Sequence, residues 1–199
     1  MSAIDWIGLV LFAGAMIGTP GPANMVMMAS GAAYGARASL RFLAGVILGK
    51  QFIIWPLGLG IMGGLDANGP IFQILRWASV GYILYLAWRI AGSRIVEREA
   101  GATPPGFLAG LVVHPLNPKA WAMIVGVFTN FVSPDAGAFT ATLGAAVAIF
   151  GLQLIAQPFW MLAGVWVSRL VGGTDREVWL MRGLALAMLA SVFWALGGQ

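Results

Sequence analysis

Gly18-Thr19-Pro20-Gly21-Pro22-Ala23-Asn24-Met25 interrupts an apolar opening that runs from about residue 4 to residue 34. Two prolines and two glycines fall between Gly18 and Pro22. A single helix over 4–34 would reach about 46 Å at 1.5 Å per residue, against roughly 30 Å of hydrocarbon in a bilayer. A proline inside a helix removes a backbone donor and clashes with the preceding turn, at about 3 kcal/mol or more. Two prolines around a glycine are expected to open the helix rather than bend it. Opened backbone at membrane depth is tolerated only where it is buried in protein or lines a cavity.

The composition makes the bilayer the relevant solvent. Of 199 residues, 60% are hydrophobic and 9% charged. Soluble domains average roughly 45–50% apolar and about 25% charged. Nine tryptophans and 28 glycines agree, since Trp anchors interfaces and Gly is common in membrane helices. With no cysteine, disulfides, thiolate metal sites and thiol nucleophiles are excluded. The net charge of +4 is spread over short loops, a pattern of membrane orientation rather than of nucleic-acid binding. Met1-Ser2-Ala3-Ile4-Asp5 lacks the basic start of a secretory signal, so the first apolar stretch reads as a retained span.

Six spans are predicted, at about 4–34, 38–64, 70–92, 105–132, 137–167 and 178–197. Eight of the eleven basic residues fall in the first, third and fifth connections: Arg37, Arg41, Arg89, Arg94, Arg98, Arg169, Arg176 and Arg182. The connections around Asp66 and Asp135 have none, although Arg76 lies just inside span three. The asymmetry places the basic loops in the cytoplasm and both termini outside.

Span four repeats the anomaly of span one, with Pro115 and Pro118 near its middle. Pro20 and Pro118 lie 98 residues apart, about half the chain. A shorter echo pairs Gln51-x4-Pro56 with Gln153-x4-Pro158 at an offset of 102. With three spans each, the halves enter the membrane in opposite directions. The expected fold is an all-α polytopic membrane protein forming one transporter domain over 1–199. Its six helices make two inverted three-helix repeats, about 1–92 and 105–199, with helices one and four broken. Matching breaks in inverted halves point to a carrier's binding site.

Gly18-Thr19-Pro20-Gly21-Pro22-Ala23-Asn24, Tyr34-Gly35 and Asn117-Pro118-Lys119-Ala120 together resemble the LysE/RhtB group of bacterial amino-acid exporters. The run Gly81-Tyr82-Ile83-Leu84-Tyr85-Leu86-Ala87-Trp88-Arg89 is similar to that family's third span. The resemblance covers essentially the whole chain. It implies a secondary exporter of amino acids or related small metabolites in the bacterial inner membrane, driven by the proton motive force. It also makes a homodimer plausible. Two positions depart from the family's pattern, Ala23 and the charged Lys50 in span two, and both bear on substrate rather than fold.

The half-helices starting near Pro22 and Pro118 offer unpaired N–H groups suited to a carboxylate. Asn24 and Asn117 add donors, or cap their own half-helices. Lys119 and Lys50 are costly at mid-membrane unless a partner, a cavity or an anionic substrate group receives them. The expected substrate site comprises Pro20, Gly21, Pro22, Asn24, Lys50, Gln51, Asn117, Pro118, Lys119 and Gln153. Gln51, Gln153 and Gln157 either line this cavity or bond helix to helix. His114, the sole histidine, is a candidate for proton coupling. Trp6, Trp121, Trp160 and Trp166 read as packing or interface residues. No cofactor and no metal site are expected. No phosphate-binding loop is present, so energy should come from an ion gradient, and no motif of a membrane-embedded enzyme is visible. The alternatives are an inorganic-ion exporter or a small channel on a related fold.

Overall fold

The structure, a computed structural model, describes residues 4–60, 104–133, 135–171 and 174–197. Between the first two stretches it describes only residues 77, 80, 81, 84, 85, 87, 88 and 91, all helical. Most of span three, the Asp66 loop, Arg76, Arg89, Arg94 and Arg98 therefore lie outside the described residues. Seven helices are bounded among the described residues: α1 (Trp6–Gly18), α2 (Pro22–Gly49), α3 (Gln51–Gly58), α4 (Phe107–Leu111), α5 (Pro118–Phe131), α6 (Ala138–Val171) and α7 (Arg176–Gly197). Among the described residues the sole β-type pairing is an isolated bridge between Ile4 and Val132.

Proline chemistry sets the helix ends. The residue before a proline is pushed out of the helical region by the proline ring. Thr19, before Pro20, is extended (φ −73°, ψ 148°), as is Asn117 before Pro118 (φ −122°, ψ 107°). Pro22 and Pro118 then open α2 and α5, where the missing N–H costs nothing and φ is already helical. α1 and α5, 13 and 14 residues long, reach only about 20 Å each. Neither crosses a bilayer alone.

α2 is a hairpin of two helical arms. Ser30 and Ser39 hydroxyls meet at 2.9 Å, whereas nine residues of straight helix span about 13.5 Å. The chain reverses at Gly35, whose φ of 77° and ψ of 167° lie in a region essentially reserved for glycine. The expected loop between spans one and two is thus a single residue. Arg37 and Arg41 sit exposed at the start of the second arm, not in a loop. Span four, expected over 105–132, consists of α4, a series of turns over 112–116, and α5.

Small residues let these elements cross closely. A Cβ on Gly31 would collide with the Met161 carbonyl, and one on Gly164 with the Met28 carbonyl. Asn24 also pairs with Gln157, so the first arm of α2 runs parallel to α6. The second arm runs parallel to α4, with Gly45 against the Phe107 carbonyl and Gly49 against that of Leu111. The start of α1 rests near Gly144 and Gly14 faces Leu152, so α1 runs parallel to α6 as well. One buried cluster, including Phe42, Val46 and Met27, joins α2 to α7; the other, including Leu9, Ile124 and Ile149, joins α1, α3, α5 and α6. Outer faces stay apolar: Ile7 is 76% exposed, Leu108 73% and Ile155 74%. Ala138–Val171 is a single helix long and apolar enough to cross a membrane.

Candidate functional site

The two breaks meet. Lys119, the second residue of α5, is half-buried and reaches across to the first break. Its ammonium donates to the carbonyls of Thr19 and Pro20, each at 3.1 Å, and to the Thr19 hydroxyl at 2.8 Å. Gly21 makes this possible, because a Cβ there would lie 3.1 Å from both Cδ and Nζ of Lys119. The lysine is thus held by carbonyls freed at the interruption, with positive charge set against the negative end of the α1 dipole.

Asn24 closes the first break from the other side. Its amide nitrogen donates to the carbonyls of Ile17 at 2.7 Å and Thr19 at 2.8 Å. It therefore caps the C-terminus of α1 from within α2. Its Oδ1 accepts from Gln157 Nε2 at 3.1 Å. Asn117 acts locally instead: its Oδ1 accepts from the Lys119 backbone N–H at 3.1 Å, as an N-cap of α5. The Pro115 carbonyl, freed at the second break, accepts from the Trp121 indole at 2.9 Å.

A cavity lies where the breaks face each other. Of the residues marked out by sequence, Gly21, Asn24, Lys50, His114, Asn117, Lys119 and Gln157 line it. Met16, Ile17 and Met123 supply apolar wall. Lys50 and His114 are buried, 3% and 2% exposed. Both ring nitrogens of His114 and the Oε1 atoms of Gln153 and Gln157 are buried without a hydrogen-bond partner. A buried polar group left unpaired costs about 1–3 kcal/mol and calls for an explanation. The lining carries two lysines and no carboxylate. Space open to the centre of a water-sized sphere is about 20 Å³. That is on the order of one or two waters, and an amino acid needs several times as much.

The remaining candidates lie off the cavity. Pro20 is exposed and contributes its carbonyl to Lys119. Pro22 and Pro118 shape helix starts and do not line the space. Gln51 donates to the Ala146 carbonyl at 3.3 Å and accepts from the Trp55 indole at 3.1 Å, joining α3 to α6. Gln153 is fully buried and donates to the Ile47 carbonyl at 3.4 Å. Among the described residues no group of three His, Asp or Glu is placed to hold a metal ion.

The profile of the LysE type translocator family matches residues 14–199. The chain belongs to that family. Relatives with 86% of this chain and 88% of their own length aligned include the cysteine/O-acetylserine efflux proteins of Escherichia coli (strain K12), 32% identical, and Salmonella typhimurium (strain LT2), 30% identical. No solved structure matches. In this LysE-family chain the matched region takes in both breaks and every residue of the cavity lining. Thr19 and Trp121 are the polar groups at the breaks that sequence reasoning passed over. Thr19 stands inside the quoted motif, and its place before a proline signalled an exposed carbonyl. Nothing local signalled that the Trp121 indole would turn back onto Pro115.

Proposed function

We propose that this chain is a secondary active exporter of amino acids or closely related small metabolites across the bacterial inner membrane, driven by the proton motive force. The observation that carries the reading is the junction of two broken helices, bridged by Lys119, over a buried polar cavity. Family membership and the efflux activity for which the relatives are named support it. The arrangement of two inverted three-helix repeats draws support from the packing: α1 runs along α6 as α4 runs along the second arm of α2. Orientation with both termini outside draws support from the charges. The Gly35 turn, the end of α6 and the start of α7 lie at one end with Arg37, Arg41, Arg169 and Arg176. Asp5, stitched to Phe131, and Asp135 lie at the other, in keeping with the positive-inside rule.

Gly21, Asn24, Lys50, Asn117 and Lys119 are the proposed substrate-binding residues. A lining with two lysines and no carboxylate favours a substrate that presents an anionic group and carries no net positive charge. Cysteine and O-acetylserine, for which the relatives are named, fit that requirement, as do other small neutral amino acids. His114 is the proposed proton-coupling group, being buried in the cavity lining with the Gln153 side chain beside its ring. The test is efflux from cells that lack their own exporters and are loaded with dipeptides. Expression should raise efflux of cysteine, serine or threonine several-fold above that of lysine or arginine, and a protonophore should abolish the gain. Equal efflux with and without the protein would refute the reading. Counterflow of labelled substrate in proteoliposomes separates a carrier, which shows it, from a channel, which does not.

A further inference from the structure

The carbonyls of the first break determine which atom of Gln157 is left for the cavity. A backbone carbonyl can only accept a hydrogen bond. Ile17 and Thr19 present two such carbonyls to Asn24, at 2.7 and 2.8 Å. The Thr19 carbonyl also accepts from Lys119, but the Ile17 carbonyl is satisfied only if the amide NH₂ of Asn24 points at it, and a flipped amide would set Oδ1 against both carbonyl oxygens. Asn24 Oδ1 then faces Gln157, at 3.1 Å, and must receive an N–H. Gln157 therefore turns its NH₂ toward Asn24 and keeps Oε1 on the other side. That oxygen is buried without a partner, in a side chain 1% exposed that lines the cavity. Amide orientation is ordinarily ambiguous, because oxygen and nitrogen are nearly equal in size. Here the acceptor-only ends of the chain leave one solution.

The cavity thus has two chemically distinct sides. Lys50 offers an amine donor, and Lys119 an ammonium group whose three N–H bonds are held at the first break. Gln157 offers a lone acceptor. We propose that Gln157 Oε1 receives the α-ammonium group of the substrate, held in that role by Asn24 and the opened end of α1. The assignment rests on the exporter reading above and deepens it. A zwitterion placed with its carboxylate toward the lysines and its ammonium on Gln157 satisfies both sides. A carboxylic acid without the amino group leaves the oxygen orphaned. Sites built to bond a substrate N–H reject the analogue lacking it far more strongly than apolar pockets reject a missing methylene.

The test is competition against labelled L-serine exchange in proteoliposomes, using unlabelled L-serine and its deaminated analogue 3-hydroxypropanoate. In the wild-type protein the analogue should compete at least about tenfold more weakly. In Gln157→Met that ratio should fall toward one. In Gln157→Glu, which keeps an acceptor in place, discrimination should persist. A purely packing role for Gln157 would lower exchange in the variants without moving the ratio, and that result overturns the assignment. So does a wild-type protein that takes the analogue as readily as serine, which requires no variant to fold. Failure of the wild type to exchange any amino acid would instead sink the exporter reading and this assignment with it.

Discussion

The two interruptions are made from the same materials and end up different. Each places an extended residue before a proline, and each proline starts the next helix. The second break stays wound. Leu116 N–H bonds the Val112 carbonyl and Asn117 N–H that of His114, and Asn117 caps α5 by itself. The first break is pulled open. Gly21 has no side chain to cap α2, and the freed carbonyls of Ile17, Thr19 and Pro20 are answered by Asn24 and by Lys119, which lies 100 residues along the chain from Thr19. One break is thus closed from within and the other depends on its counterpart. An element whose bonds come from another helix is the one whose conformation can change when that helix moves.

The comparison can be broken most directly at Lys119. Lys119→Ala removes the three bonds across the breaks, and efflux should fall more than about tenfold, the equivalent of about 1.4 kcal/mol. Thr19→Val keeps the carbonyl acceptors and should lose only part of that, when efflux is normalised to protein in the membrane. Efflux by Lys119→Ala at the wild-type rate would show that the bridge is ornamental.

The two asparagines sharpen the contrast. Asn24→Ala orphans the Ile17 carbonyl and the Gln157 amide, at about 1–3 kcal/mol for each buried group, and leaves Thr19 to Lys119 alone. Asn117→Ala loses one N-cap, worth about 1 kcal/mol. Thermal unfolding in detergent should therefore show a clearly larger drop for Asn24→Ala. Equal drops would mean that the first break is not held through Asn24. The smallest effect belongs to Gln51→Leu. Its bonds join α3 to α6 away from the cavity, so substrate preference and apparent affinity should stay at wild-type values in the efflux assay. A shifted preference would place Gln51 in the site after all.

Sequence reasoning reached the breaks because proline acts on its own neighbours. The ring of Pro20 forces Thr19 out of the helix whatever the rest of the chain does, and Pro118 does the same to Asn117. The meeting of the breaks was legible as a consequence of burial, since opened backbone cannot face lipid. Which side chain answers which carbonyl was not. Lys119 and Thr19 become partners only when two half-chains fold together. Gln51 and Gln153 have the same residue type and the same spacing to a proline as a lining residue might, yet each is spent on a neighbouring helix. The reversal at Gly35 falls between the spans predicted at 4–34 and 38–64, but its tightness was hidden for a different reason. Flanking residues on both sides favour helix, so the turn is carried by one φ angle that only glycine tolerates.

The glycine crossings carry a mechanical consequence. Where Gly31 rides on Met161, Gly164 on Met28, and Gly45 and Gly49 on α4, backbone lies directly on backbone. Sliding those pairs by even one residue would drive a Cβ into a carbonyl. They behave as welded struts. α1 and α5, which touch each other through the interleaved rings of Phe12 and Phe131 at 5.4 Å, have side chains to yield between them. Any loosening of the fold therefore falls first on contacts between side chains and last on the glycine crossings.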